Sequence, residues 1–172
     1  MDESRPAHPA TRATLDAIRA ATAALSASDL QRRRPGKWSI AEILDHLDKT
    51  YSGTAYILAR CAEQGVPKGG RPTLKNRFEA WLVTGLGYFP TGVQSPEVAR
   101  PSSDPAPGVL ERMTASLSAF DAAASRAEQR LGGRAKVANH PILGPFTVHQ
   151  WRRFHFLHTR HHMRQIRALG AI

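Results

Sequence analysis

Four long amphipathic segments, separated by clusters of proline and glycine, constrain the fold of this 172-residue chain more than any other feature. Within each segment, apolar residues recur at intervals of three and four, the spacing that places them on one face of an α-helix. The prolines and glycines gather mainly near residues 65–72, 85–108 and 132–145, where they interrupt the helical pattern. We therefore predict an all-α chain in which each long helix buries one apolar face.

The first two predicted helices are separated by a proline-glycine pair. The first covers about residues 8–28. The second begins at Ser39, whose hydroxyl can cap the free amides of a helix start, and Glu42 three residues later completes a capping box. Its apolar stripe continues to about Gln64 before the next break.

The rest of the chain completes the prediction of a four-helix bundle. A short helical pattern around residues 74–82 precedes a proline-rich connection at 84–108. A regular helix over about 110–131 and a last helix over about 147–169 follow. Four long helices with a short extra helix and a long crossing loop are typical of such a bundle, and the length suits a single domain over residues 1–172.

Cysteine content and hydropathy favour a cytoplasmic protein. Cys61 is the single cysteine, so no internal disulfide can form, and we interpret it as a small buried residue rather than a reactive thiol. The N-terminal region has no apolar core of the kind found in signal peptides, and no run of eighteen apolar residues occurs. We therefore expect neither export nor membrane association.

A formal charge of +10 attracts anions in general but identifies no partner. The basic residues are dispersed, and only residues 32–34 form a tight run of arginines. No aromatic residues alternate with them in the way that stacking on nucleic-acid bases requires. We therefore expect a solvated basic surface rather than a nucleic-acid interface.

Histidine is concentrated near the C-terminus, where six of the eight histidines follow residue 139. At roughly 100° per residue, a helical projection places one set of residues within roughly 80° of His158. That set contains Trp151, Phe154, His155, His162, Gln165, Ile166 and Leu169. Arginines 153, 160, 164 and 167 lie on the other side, so the projection predicts that the histidines face inward.

His158 and His162 are four residues apart, which lets two imidazoles on one helix face share a metal ion. His46, on the flank of the second helix, is the candidate third ligand. Three neutral imidazoles suit Zn²⁺ or Ni²⁺ and leave one coordination position open. The alternative is that these histidines are buried core residues satisfied by hydrogen bonds.

Two motifs carry a resemblance to a known family. GKWSIAEILDHL and, near the other end, HPILGPFTVHQWRRFHFLHTRHHMRQI resemble the DinB/YfiT-like superfamily of metal-binding four-helix bundles. The resemblance spans nearly the whole chain and implies that His46, His158 and His162 are the metal ligands. His161 resembles an additional histidine of that family and is not counted as a ligand. Gln165 and His155 are candidates for orienting the ligand rings, and the alternative is that they only satisfy buried polar groups.

Three other residues near these motifs receive structural roles. Trp38 and Trp151 are interpreted as packing residues. His140 precedes a proline in a loop and is expected to brace a turn. The spacing assigns no catalytic residue: Glu42 already has a capping role, and nothing singles out Glu79 as a general base.

The resemblance implies a metal-dependent enzyme that activates a low-molecular-weight thiol for transfer to a small electrophile. A metal-dependent hydrolase that lowers the pKa of water is the enzymatic alternative. A structural metal in a non-enzymatic basic binding bundle is the third hypothesis. A homodimer is also open, although no motif indicates it.

Overall fold

The computed structural model describes residues 7–89 and 94–170. Its α-helices are α1 (Pro9–Thr22), α2 (Ile40–Gln64), α3 (Leu74–Ala80), α4 (Val109–Leu131) and α5 (Val148–Gly170). Strands β1 (Ala138–His140) and β2 (Gly144–Phe146) form an antiparallel pair. Short 3-10 turns lie at Asp29–Gln31 and Glu97–Ala99, and a π turn lies at Trp81–Gly85. The predicted all-α bundle is confirmed.

The four long helices pack in two main pairs, α2 against α4 and α1 against α5, with further contacts between the pairs. Their apolar faces meet in one core that contains Leu15, Ile18, Leu44, Leu47, Leu58, Met113, Leu117, Phe120, Met163 and Ile166. Tyr51 is fully buried in this core, and its hydroxyl pairs with that of Thr159 on α5. None of the helices in the described ranges combines the length and hydrophobicity that a bilayer crossing requires.

Helix α2 begins and ends where its sequence predicts. The Ser39 hydroxyl accepts a hydrogen bond from the Glu42 amide at 3.2 Å, and the Glu42 carboxylate accepts one from the Ser39 amide at 2.6 Å. Gly65 ends the helix with φ at 65°, a left-handed conformation that glycine adopts without steric cost. This fixed start places His46 in the second turn, on the buried side.

A β-hairpin precedes α5, where the proline and glycine cluster at residues 132–145 predicts only a loop. Its strands have three residues each, too few to show an alternating pattern. Gly144 has φ at 78°, and a Cβ at this position would lie 2.5 Å from Cγ of Asn76 on α3. The hairpin therefore holds α3 close to the start of α5.

Helix α1 is shorter than predicted, since it ends at Thr22 rather than near residue 28. The Asp29 carboxylate accepts a hydrogen bond from the Ser26 amide at 2.7 Å, which stabilises a turn instead of a further helical turn. Leu25 still packs against the core, because the chain bends without leaving it. The spacing of the apolar residues thus predicts which side chains are buried, but it does not predict where the helix ends.

The apolar stripe of α3 faces solvent. Leu74, Phe78 and Trp81 are 82%, 60% and 55% exposed, whereas Ala80 and Val83 pack into the core. The predicted short helix is present, but its periodicity does not show which face the rest of the protein covers. The π turn that follows α3 and contains Val83 contacts α5.

A buried carboxylate links α4 to the start of α1. Asp121 on α4 is 2% exposed and accepts hydrogen bonds from the Ala7 amide at 2.7 Å, the His8 amide at 3.1 Å and the Thr11 hydroxyl at 2.7 Å.

Replacing Asp121 with alanine leaves these donors unpaired, at a cost of about 2–4 kcal/mol in free energy of unfolding. Urea denaturation of Asp121→Ala measures this loss. Asp16→Ala, which changes an exposed aspartate of α1, serves as the control and should change the free energy of unfolding by less than about 0.5 kcal/mol. Equal losses in the two variants would contradict the capping role of Asp121.

Candidate metal centre

The three predicted ligand histidines meet between α2 and α5. The Nε2 atom of His158 lies 3.2 Å from Nε2 of His46 and 3.0 Å from Nε2 of His162. All three residues are buried, and they form a group whose ligand atoms lie within 4.8 Å of one another. Nitrogen ligands at the usual Zn–N bond length around a tetrahedral zinc ion lie about 3.3 Å from one another. The two Nε2–Nε2 distances therefore fit a shared ion.

Hydrogen bonds at the opposite ring nitrogens fix the orientation of two of these imidazoles. Nδ1 of His46 donates to the backbone carbonyl of Ala99 at 2.6 Å. Nδ1 of His162 donates to Oε1 of Gln165 at 2.8 Å. In both neutral rings the proton is therefore on Nδ1, and the Nε2 lone pair points toward His158.

His158 cannot satisfy both of these lone pairs. A neutral imidazole carries one ring proton, so Nε2 of His158 can donate to only one of its two neighbours. Its Nδ1 is buried and has no hydrogen-bond partner. Three inward nitrogens with at most one proton among them cannot all be satisfied by hydrogen bonds to one another. Their lone pairs are suitable ligands for a divalent cation.

The surroundings keep these imidazoles in the neutral form that binds metal. Burial lowers the pKa of His162 to about 3, and repulsion from His46 adds to this effect. Burial also lowers the pKa of His158 well below its ordinary value, with His162 and His46 contributing. The pKa of His46 is lowered by burial as well, although its hydrogen bond to Ala99 opposes the shift. At neutral pH no proton has to leave before a metal binds.

Two aromatic side chains lie against the histidines from different directions. The Trp38 ring centroid is 5.1 Å from that of His46, and the ring stacks on His162 at 6.4 Å. The Phe89 centroid is 5.7 Å from that of His158 and 5.2 Å from that of His161. Trp38 is half-buried and packs against the core as well as against the histidines, and Trp151 is a core residue, so both predicted packing roles are confirmed.

The long connection between α3 and α4 supplies contacts to the histidines that no pattern in its sequence reveals. It contributes the Ala99 carbonyl to His46 and the Phe89 ring to His158. Ser95 adds a weaker contact, with its hydroxyl oxygen 3.4 Å from Nδ1 of His46. A backbone carbonyl has no side-chain signature, so no motif could have revealed the Ala99 contact.

The remaining histidines have separate roles. His161 lies outside the ligand group, and its Nε2 accepts a hydrogen bond from Gln165 at 3.1 Å. His155 pairs with the Thr54 hydroxyl at 3.2 Å and so satisfies a buried group rather than orienting a ligand ring. Nδ1 of His140 accepts from the amides of Ile142 and Leu143, which confirms that His140 braces a turn.

The carboxylates considered as general bases are already engaged. Glu42 caps α2 and lies 3.5 Å from the Arg33 guanidinium, and Glu79 lies 3.9 Å from Lys75. Asp45 accepts from the Ser102 amide at 2.8 Å and pairs with Lys49 at 3.0 Å. Although burial raises the pKa of Asp45, these bonds outweigh it and hold the pKa below its ordinary value. Such a carboxylate is a weak proton acceptor at neutral pH.

Gln165 orients His162 and is expected to increase metal affinity without touching the metal. In Gln165→Ala the His162 ring loses its fixed tautomer, and we expect Zn²⁺ affinity to fall about 10–100-fold. Competition with a chromogenic chelator measures this change. Gln129→Ala, at an exposed position of α4, is the matched control; an unchanged affinity in Gln165→Ala would rule out the orienting role.

Comparison with known proteins gives one match. The sequence model described as the DinB superfamily matches residues 10–166, which include all three histidines of the group. Neither the curated proteins nor the solved structures contain a match.

Proposed function

The chain belongs to the DinB superfamily, and on that premise we propose that it is a metal-dependent enzyme that transfers a low-molecular-weight thiol to a small electrophile. His46, His158 and His162 would hold the divalent cation, with Zn²⁺ or Ni²⁺ as the expected metals. The observation that carries this proposal is the convergence of their Nε2 atoms, two of them with lone pairs fixed inward.

The three histidines favour a metal site with an open coordination position over a structural site closed by four protein ligands. Within residues 7–89 and 94–170, the group contains three histidines and no cysteine or carboxylate as a fourth member. Structural zinc sites in proteins are usually closed by four protein ligands, whereas catalytic sites retain an exchangeable position. A bracing metal in a non-enzymatic bundle is therefore the weaker alternative.

The chemistry divides between the cation and the protein side chains. When bound, the cation stabilises the thiolate form of a cosubstrate and so makes its sulfur nucleophilic at neutral pH. Gln165 and the Ala99 carbonyl hold the ligand rings in place, and Trp38 and Phe89 shield the group from water on the sides they cover. These aromatic rings also offer apolar surface to the carbon skeleton of a substrate.

Thiol transfer is favoured over hydrolysis because the nearby carboxylates are engaged. Hydrolysis requires a group that accepts a proton from water, and Glu42 and Asp45 are held by hydrogen bonds and basic side chains. A thiol loses its proton more readily than water does, so thiolate formation at a cation makes a smaller demand on a base.

Reconstitution followed by a thiol-transfer assay tests the proposal. Metal-free protein is loaded separately with Zn²⁺ and Ni²⁺ and mixed with monochlorobimane and either cysteine or glutathione. Fluorescent adduct should form faster than in the absence of protein, and this increase should require added thiol and loaded metal. His158→Ala should remove the rate enhancement, whereas His161→Ala, the neighbouring histidine outside the group, should retain most of it.

A metal-loaded protein that gives no thiol-dependent increase with this electrophile or with 1-chloro-2,4-dinitrobenzene contradicts the transferase proposal. Cleavage of p-nitrophenyl acetate without thiol, lost in His158→Ala, would instead support the hydrolase. If metal-loaded protein catalyses neither thiol transfer nor ester cleavage, the result favours a structural metal in a non-enzymatic bundle.

A further inference from the structure

The part of the long connection that contacts His46 buries little apolar surface. Among residues 94–104, only Ala99 is buried, and Val98 beside it is 80% exposed. One buried methyl group offsets only a small part of the conformational entropy that is lost when a segment of this length is ordered. Apolar packing therefore does not explain why the Ala99 carbonyl lies at a fixed place beside the His46 ring.

Two charged residues of α2 bind this segment just after Ala99. The Asp45 carboxylate accepts a hydrogen bond from the Ser102 amide at 2.8 Å. The Lys49 ammonium donates to the Arg100 carbonyl at 2.9 Å and to the Ser102 hydroxyl at 3.1 Å. Asp45 and Lys49 also pair with each other at 3.0 Å, one helical turn apart. We call these two residues the Asp45–Lys49 clamp.

The clamp and His46 hold neighbouring carbonyls of the same segment. Ala99, whose carbonyl accepts from His46, directly precedes Arg100, whose carbonyl accepts from Lys49. Only the φ and ψ angles of Arg100 separate the two peptide planes, so a fixed position for one carbonyl restricts the other. Pro101 restricts these angles further, since a residue before proline favours the extended conformation that Arg100 adopts, with φ at −66° and ψ at 134°.

A role in the stability of α2 alone does not account for this arrangement. An exposed pair of opposite charges one turn apart on a helix contributes little to stability. Asp45 is instead 6% exposed, and the clamp binds backbone groups 51 and 57 positions away along the chain. Hydrogen bonds that involve a charged group are stronger than those between neutral groups. The clamp is therefore suited to fixing the position of a distant segment.

We propose that Asp45 and Lys49 are positioning residues, which hold the Ala99 carbonyl in place and so set the tautomer of His46. The inference rests on the proposed metal centre, where Nε2 of His46 must carry a lone pair. With the carbonyl in place, the ring proton stays on Nδ1 and Nε2 is free to bind a cation. Without the clamp, the carbonyl no longer has a fixed position, and the proton distributes between the two ring nitrogens.

Histidine side-chain NMR of the metal-free protein tests the clamp without any metal. Long-range ¹H–¹⁵N correlation spectra distinguish a ring protonated on Nδ1 from one protonated on Nε2. We expect His46 to carry its proton on Nδ1 in the wild type and to become a mixture of both tautomers in Lys49→Met. His162, which Gln165 orients separately, should keep its Nδ1 proton in both proteins. Lys49→Arg retains the charge and should preserve the wild-type tautomer of His46.

The affinity for Zn²⁺ gives a second measurement. Loss of a residue that bonds directly to a ligand ring costs about 10–100-fold in metal affinity, and the clamp acts one step further away. We therefore expect Lys49→Met to lower the affinity about 10-fold. Lys75→Met is the matched control, because it removes a lysine from an i,i+4 pair with Glu79 on α3, and it should change neither the tautomer nor the affinity.

Asp45→Asn provides a second test if Lys49→Met fails to fold. The amide oxygen can still accept from the Ser102 amide, but the charge that holds Lys49 is lost, so both measurements should change in the same direction by a smaller amount. A His46 ring that keeps its Nδ1 proton in both variants would overturn the proposal. Equal changes at His46 and His162 would also overturn it, because they indicate a general loss of structure. If the wild type binds no Zn²⁺, the metal centre fails, whereas the tautomer of His46 still decides the role of the clamp.

Discussion

Replacing His158 with alanine is expected to lower the affinity for Zn²⁺ or Ni²⁺ at least about 100-fold. The Nε2 of His158 lies between those of His46 and His162, at 3.2 and 3.0 Å, so its removal eliminates the nitrogen that joins the other two. Loss of a residue that only orients a ligand costs about 10–100-fold, and loss of a ligand must cost more. Elemental analysis of protein purified without an affinity tag gives the metal content, and isothermal titration gives the affinity.

The metal-free form of the same variant distinguishes a ligand from a packing residue. Because Nδ1 of His158 is buried without a partner, removing the ring also removes an unsatisfied group. Without metal, we therefore expect His158→Ala to lower the free energy of unfolding only slightly relative to wild type. The difference between the two proteins should be much larger when metal is present. His161→Ala should keep near-stoichiometric metal, and a wild-type protein that binds neither ion after reconstitution would refute the metal centre.

Acidification of the metal-free protein is expected to lower its free energy of unfolding by at least about 5 kcal/mol between pH 7 and pH 4.5. Burial lowers the pKa of His155 to about 3, and burial with the charge of His46 lowers that of His162 to about 3, from an ordinary value of 6.5. Between these values the unfolded chain binds protons that the folded protein does not, so stability is greatest above pH 6.5 and falls as the pH decreases. A loss of this size approaches the whole stability of a typical small domain.

Urea denaturation at pH 7.5, 6.5, 5.5 and 4.5 measures this dependence. In His155→Gln, which keeps a polar side chain that does not titrate, this loss of stability should be smaller by about 2–3 kcal/mol. His149→Gln changes an exposed histidine and should leave the slope unchanged. A free energy of unfolding that stays constant between pH 7.5 and 5.5 would mean that the buried histidines titrate alike in both states. Added Zn²⁺ should steepen the decline, because protons compete with the metal for the same imidazoles.

Much of the bundle could be predicted from local chemistry. The capping box at Ser39 and the glycine after Gln64 define α2 within the sequence itself, and both appear as predicted. The start of α5 is set in the same way, since the Thr147 and Gln150 side chains exchange hydrogen bonds with each other's backbone amides. These signals survive folding because each involves residues only three positions apart.

Other features escaped prediction because they depend on distant parts of the chain. The outward apolar stripe of α3 has the same period as a buried one, and only packing decides which face is covered. The hairpin of β1 and β2 is stable because it lies between α3 and α5, not because its short strands favour extended structure. The link from Asp121 to the start of α1 joins residues more than one hundred positions apart.

The sequence by itself determined that His158 and His162 face inward on one helix and that His46 is placed to join them, because helical periodicity and a capped helix start are local properties. Only the tertiary structure decided that their Nε2 atoms meet, that the Ala99 carbonyl and Gln165 fix two of the rings, and that Trp38 and Phe89 lie beside them. Those contacts bring together α2, α5 and the long connection, and their geometry depends on how the helices pack, which no spacing along the chain encodes.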